Sequence, residues 1–379
     1  MRRKLKWIAT LLAAVFFLLL GSVIPDDDLG DRAMAVALGL DVDEENNVVA
    51  CAQIVTPADS DGTSAGTRVV TGKGKVLNTA LSRITETCGL TLTASHCNVV
   101  LLGKKLIESG ESLGLVFTLL ENTYVNDNAY IFSCEGTPEE VLGSQSAFGN
   151  NAGQYLQQLI TMYGTYENIT YKTIRQVIVG SHDLGKATYM PYLVKEPVRA
   201  QIPGSSSFEE IKEKEDYAYN LNHVQVLREG KDAGVYGENA LRALNYLLTE
   251  VHKGSDDFAI EGGRVGVFIL NNDAKHSFSL EEKTYSVDLT IGITVKDVRM
   301  DDGREQDNTF SPVLTGENKK MCENQLRDEI VAFYNEMKEK NADVFAVRQK
   351  FYSKYGKKAK ELSLQDIDFR LNVTFTMEK

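Results

Sequence analysis

Two runs near the end of the chain alternate strictly between apolar and polar residues. In the first, Val287, Leu289, Ile291, Ile293 and Val295 alternate with Asp288, Thr290, Gly292 and Thr294. In the second, Ile367, Phe369, Leu371, Val373, Phe375 and Met377 alternate with Asp368, Arg370, Asn372, Thr374 and Thr376. A period of two predicts a strand with one wet and one buried face. Between the runs, Leu326, Ile330, Phe333, Tyr334 and Met337 recur at helical spacing. A helix packed across an antiparallel sheet is expected here.

Upstream, the pattern predicts strands over 33–40 and 48–55 joined by a turn at 43–47. Val76, Leu77, Ala80, Leu81 and Ile84 mark a helix over 75–87. A strand over 90–102, helices over 104–109 and 112–121, and a strand over 129–134 follow. Thr137-Pro138-Glu139-Glu140 reads as a helix start, with a capping hydroxyl, proline in the first turn and acids at the positive end of the dipole. Two further helices are expected over 151–163 and 170–179. Residues 57–66, rich in Ser, Gly, Asp and Thr, read as a loop. The stretch 201–215 turns from IPGSSS into a run of charges and reads as a linker. Val224, Val226 and 232–235 suggest a hairpin turned at Glu229-Gly230-Lys231. Ala240, Leu241, Leu244, Leu247, Leu248 and Val251 then mark an amphipathic helix. The fold class is α+β, with three mixed α/β domains: 26–200, a small middle domain at 201–263 that leans on a neighbour, and 264–379. They follow an anchor or signal segment at 1–25.

That first segment opens with Arg2, Arg3, Lys4 and Lys6 and no acid. Residues 7–24 then carry no charge. At about 1.5 Å per residue they would span roughly 27 Å, close to a bilayer core. The apolar positions Trp7, Leu11, Leu12, Phe16, Phe17, Leu18, Leu19 and Leu20 form the candidate membrane anchor. The basic head belongs on the cytoplasmic side, so the rest of the chain is exported. Leu20-Gly21-Ser22 fits the first three places of a lipobox, but Val23 stands where the acylated cysteine belongs. No lipidation is expected. The exit is also a weak small-x-small cleavage site. An uncleaved anchor is therefore favoured over a cleaved signal.

The composition, 43% hydrophobic and 25% charged, is that of a folded protein. Without the four basic residues of the head, 37 basic residues face 53 acidic ones, a balance of −16. Such a body repels phosphates, which argues against nucleic-acid binding and against anionic headgroups. Five cysteines without short regular spacing do not form a disulfide framework. Cys51, Cys97 and Cys134 lie in apolar runs and read as buried thiols.

Candidate chemistry is sparse. Ser181-His182-Asp183 has the letters of a triad, but sequence neighbours cannot converge on one substrate atom, and a polar turn is the better reading. Cys88, His96 and Cys97 lack the paired spacing of a zinc site. Gly72-Lys73-Gly74-Lys75 precedes a helix, but misses the phosphate-loop pattern and is followed by Val76. No catalytic, cofactor-binding or metal-binding residue is assigned.

Read in order, several segments resemble the Ger(x)C family, the C subunits of spore germinant receptors. They are Leu29-Gly30-Asp31-Arg32-Ala33 with ALGLDVD at 37–43, TRVVTGKGKVLNTALSRI at 67–84, and ASHCNVVLLGKKLIESG at 94–110. VQVLREGKDAGVYGENALRALNYLL at 224–248 and QLRDEIVAFYNEMKEKNADVFAV at 325–347 complete the series. The resemblance implies three α/β domains on the outer face of the spore inner membrane, and no catalysis or cofactor. It also implies partnership with a multi-spanning A subunit and a transporter-like B subunit in sensing small germinants. Two departures stand out. Val23 replaces the family's lipidated cysteine, and Phe345-Ala346 replaces its Phe-Gly. The alternative reading is an anchored solute-binding or envelope structural protein not tied to sporulation. A hydrolase on an unfamiliar fold is the third and least supported.

Overall fold

The computed structural model describes residues 7, 32–56, 66–122, 124–144, 151–164, 166–197, 217–301, 314 and 316–377. The anchor positions Leu11 to Leu20 and Val23 lie outside them. Trp7 is a helical residue, 75% exposed. Among the described residues no helix is long and apolar enough to cross a membrane.

A nine-stranded sheet is built from β1 (Arg32–Val42), β2 (Val48–Val55), β3 (Thr67–Gly74), β4 (Thr91–Thr93), β5 (Val99–Leu102), β6 (Tyr130–Cys134), β7 (Ala187–Pro197), β8 (Tyr217–Arg228) and β9 (Lys231–Tyr236). Its order is β3-β2-β1-β5-β6-β7-β8-β9, with β4 beside β1. The centre, β1-β5-β6-β7, is parallel, and both flanks are antiparallel. Parallel neighbours require crossovers. These are provided by α1 (Leu77–Cys88), α2 (Lys104–Ser109), α3 (Ser112–Glu121), α4 (Pro138–Gly143), α5 (Ala152–Tyr163) and α6 (Ile174–His182). Helices α1, α2, α3 and α6 bury one face of the sheet, while α4 and α5 bury the other. Val99–Leu102 is accordingly apolar at all four positions, because both of its faces are covered.

The second sheet, β10 (Gly254–Ile260), β11 (Gly263–Ser279), β12 (Thr284–Met300) and β13 (Asp368–Met377), is four-stranded in that order. Helices α7 (Glu238–Leu248) and α8 (Gly316–Glu339) cover it, and α9 (Val347–Tyr355) follows. The core under α7 is continuous with the large sheet through Ala187, Tyr189, Val224 and Val226. The strands β8 and β9, expected within 201–263, hydrogen-bond into the large sheet, whereas α7 packs between the two sheets.

Several expectations are met residue for residue. Strand 48–55 and helices 104–109 and 112–121 stand as read. Thr137 closes a full capping box with Glu140. The hairpin turns at Glu229 and Gly230, whose φ values of 50° and 79° suit a two-residue turn.

Three details differ. The helix-on-sheet arrangement of the last part holds, but β12 and β13 pair in parallel, because α8 and α9 return the chain across the sheet before β13 begins. The expected strand at 90–102 is two short strands, both parallel to β1. Only Ala35 and Val36 of β1 lie opposite residues 94–98, so that segment leaves the ladder as a turn. The helix expected at 170–179 begins at Ile174, because Thr173 and Gln176 form a capping box there.

Candidate functional site

The chain folds around α7, and polar side chains converge on that helix from both sheets. Asn245 sits among the apolar residues of its buried face and is 2% exposed. Its amide nitrogen donates to the carbonyl oxygens of Glu167 and Ile169, both at 2.8 Å, and to that of Tyr166 at 3.4 Å. These carbonyls belong to the short connection between α5 and α6. Buried carbonyls need donors, so one side chain fixes the path of that connection.

The same connection reaches the small sheet. Tyr166 makes an isolated parallel bridge to Lys253, and the Glu167 amide donates to the Lys253 carbonyl at 3.3 Å. The Glu167 carboxyl, 2% exposed, lies against Gly254 in space that a Cβ would fill. Its Oε1 accepts from the Ser255 amide at 2.9 Å, while Oε2 is buried without a partner. Burial pushes this carboxyl up to about 7, against the opposing pull of the backbone amides and the Arg242 guanidinium.

One turn before Asn245, Arg242 donates from Nη1 to Asp256 Oδ2 and Glu329 Oε2, both at 3.0 Å. All three side chains are largely buried, and together they join α7, β10 and α8. Burial raises the Asp256 carboxyl even with Arg242 alongside. Breaking such a buried network strands a charge, at a cost of about 3–5 kcal/mol.

A second polar contact links the sheets near the start of β7. Arg348 donates to the carbonyls of Leu184 at 2.7 Å and Leu362 at 2.9 Å. Asp343 caps α9 through the amides of Val347 and Arg348, both at 2.8 Å. Burial lifts the nearby Asp183 carboxyl to about 6, and Asp343 adds to the rise.

Of the triad letters, Ser181 Oγ and His182 Nδ1 lie 3.1 Å apart, but Asp183 does not reach the imidazole. Ser181 Oγ and His182 Nδ1 both turn to the Ile178 carbonyl at the end of α6, and Asp183 instead accepts from the amides of Gly185 and Lys186. The reading as a polar turn stands. Cys97 is buried and its thiol donates to the Val99 carbonyl. Cys51, Cys134 and Cys322 are also buried, Cys88 is half-buried, and all five thiols are free. Among the described residues no group of three or more His, Cys, Asp or Glu could hold a metal. The phosphate-loop letters have a packing explanation. A Cβ at Gly72 would strike the Ala80 carbonyl, and one at Gly74 would lie 2.7 Å from the Ala80 amide nitrogen. Both glycines let β3 approach α1.

A cleft of about 180 Å³ opens at the carboxyl ends of β1 and β5, lined in part by Asp41, Lys73, Lys105 and Glu139. Asp41 Oδ1 accepts from the amides of Val42 at 2.9 Å and Leu106 at 3.0 Å, under a glycine, Gly103, that leaves room for it. Burial raises this carboxyl too. The arrangement pins the start of α2 to the end of β1.

Two family models account for most of the chain. Residues 26–195 match the spore germination protein N-terminal domain, and residues 222–379 match the spore germination B3/GerAC like C-terminal domain. The chain belongs to the Ger(x)C family. Of the solved structures, the crystal structure of the GerBC protein is similar in fold. Its TM-score is 0.54 at 12% identity, over 90% of this chain and 97% of that one. No curated protein matches the chain. Glu167 and Asp183 lie within the first match, while Arg242, Asn245, Asp256, Glu329 and Asp343 lie within the second. The polar contacts around α7 are thus the seam between the family's two halves.

Sequence reasoning missed this seam. Asn245 was readable as a polar residue on the apolar stripe of Leu241, Leu244 and Leu248. Glu167 had no local signal.

Proposed function

We propose that this chain is the exported C subunit of a spore germinant receptor. Residues 7–24 tether it to the outer face of the spore inner membrane, and an uncleaved helix replaces the acyl chain that Val23 cannot carry. It works beside a multi-spanning A subunit and a transporter-like B subunit, and couples germinant sensing to release without turnover of its own. The observation that carries this reading is the tandem match of both family halves, in order, over residues 26–195 and 222–379. The seam supports it. A coupling subunit must pass a displacement from one half to the other, and a seam of buried hydrogen bonds and ion pairs behaves as a stiff connection.

The test is deletion of the gene in the spore-forming host. Spores without the chain lose their response to the receptor's nutrient but still germinate with a trigger that bypasses nutrient receptors. Re-expression of the intact chain restores the response. An unchanged nutrient response in every medium that the wild type answers defeats the proposal.

A further inference from the structure

The basic residues of this acidic protein are not evenly spread. Between Val347 and Lys360 stand Arg348, Lys350, Lys354, Lys357, Lys358 and Lys360, with no acid among them. The last four are exposed, on the end of α9 and the 3-10 turn Gly356–Ala359 that follows it. None of the four pairs with a carboxylate among the described residues. Neighbouring charges are mostly engaged: Lys283 lies 3.6 Å from Asp366, and Arg370 lies 3.9 Å from Glu282. Glu361 directly follows the run in sequence. Partly exposed Tyr352 and Tyr355 interleave with them, and the Phe278 carbonyl accepts from the Tyr355 hydroxyl at 2.6 Å and from the Lys354 ammonium at 3.0 Å, which leaves Lys354 two further N–H donors.

Topology places this patch. Helix α9 docks through Arg348 on Leu184, just before β7. Because β7 runs parallel to β6, β5 and β1, that point lies at the edge of the large sheet where β1 begins with Arg32. The crossing from β1 to β7 is three strand spacings, about 14 Å. Only residues 25–31 separate the apolar segment from β1, and they reach at most about 24 Å. On the tethered reading, the patch therefore lies within reach of the bilayer.

We infer that Lys354, Lys357, Lys358 and Lys360, with Tyr352 and Tyr355, form a docking face for an anionic phospholipid surface. The face sets the body's orientation on the membrane that anchors it. This qualifies the expectation, from net charge alone, that the body shuns anionic headgroups: the balance is acidic, but the edge beside the anchor is basic. Ammonium groups meet lipid phosphates there, and the tyrosines lie at headgroup depth. Each lysine brought to such a surface raises partitioning by a factor of about five, an effect that salt screens. The inference rests on the tethered reading above.

The full chain, purified in detergent, is reconstituted into vesicles of phosphatidylcholine alone or with phosphatidylglycerol. Flotation is scored first. Lysines are then acetylated with a water-soluble reagent, and each site is quantified by mass spectrometry relative to Lys73, which lies at the opposite edge of the sheet. Flotation on both vesicle types is expected. Labelling of the four lysines should fall at least about threefold in anionic vesicles, and high salt should reverse the fall. A variant with Lys354 and Lys357 changed to glutamate should float on phosphatidylcholine as before and lose the salt-dependent protection of Lys358 and Lys360. Equal labelling in the two vesicle types overturns the inference, as does protection by soluble polyglutamate but not by vesicles. Flotation only with phosphatidylglycerol would support the face and defeat the tether. Flotation with neither would defeat both.

Discussion

Replacing Glu167 with glutamine should remove part of the protein's pH dependence. The carboxyl is 2% exposed and titrates near 7 in the folded chain, against an ordinary value of 4.5. An acid whose folded value is raised holds its proton longer in the native state than in the unfolded one. Its contribution therefore erodes stability as pH rises from about 4.5, and the penalty is complete only above about 7. Worked through, the penalty is below about 1 kcal/mol at pH 5 and about 3 kcal/mol at pH 7.5, a growth of about 2 kcal/mol. Glutamine keeps the oxygen that accepts from the Ser255 amide and carries no charge at any pH. Urea melts of both proteins at the two pH values give the test. The raised carboxyls of Asp41, Asp183 and Asp343 are common to both proteins and cancel in the comparison, whereas the charge of Asp256 is itself one cause of the Glu167 rise, so their repulsion belongs to the difference measured. From pH 5 to pH 7.5 the wild type should lose about 2 kcal/mol more than Glu167→Gln, and the variant should be the more stable at the upper pH. Parallel pH profiles would refute the reasoning, since they would mean that Glu167 is ionised and satisfied where it sits.

Asn245→Ala should cost about 2–4 kcal/mol, because it leaves the carbonyls of Glu167 and Ile169 buried without donors. Faster amide exchange over residues 166–172, with α1 unchanged, would report it. Gly72→Ala should cost about 2–3 kcal/mol, because the new Cβ meets backbone atoms of α1 at Ala80 and Ile84. Its urea midpoint should fall with an unchanged slope. Ala346→Gly should stabilise by about 0.5–1 kcal/mol, since Ala346 holds φ at 52°, a left-handed conformation that alanine disfavours and glycine accepts. A small rise in the thermal midpoint would show it, and a fall would mean that the alanine methyl packs more usefully than its backbone strains.

That last residue shows how sequence and structure met. The Phe345-Ala346 departure from the family's Phe-Gly was visible in the letters, but its meaning needed the backbone angle. Local periodicity carried the elements well where one face is wet, as in the runs through Val287–Val295 and Ile367–Met377. It could not choose the neighbour of a strand, because alternation encodes which face is buried and not which direction the partner runs. Hence β13 was placed correctly and paired wrongly. The single expected strand at 90–102 failed for a related reason: its break is set by the two residues of β1 that face it. The candidate site was the least legible. Glu167 becomes a buried acid only because Gly254, 87 residues later, leaves room beside Ser255. The basic run at 348–360 stood in plain sight, but a whole-chain balance of −12 obscured it until topology placed it at the edge where β1 begins.

The proposed tether, an uncleaved apolar helix that holds a receptor subunit on the spore inner membrane, is open to direct measurement. The most direct measurement is to isolate the chain from purified spore membranes under its own promoter, read its amino terminus and identify what co-purifies. The expected result is a chain that retains residues 1–25, needs detergent for release, and brings with it two multi-spanning membrane proteins. A chain that begins after Pro25, washes off in salt and elutes alone would contradict it.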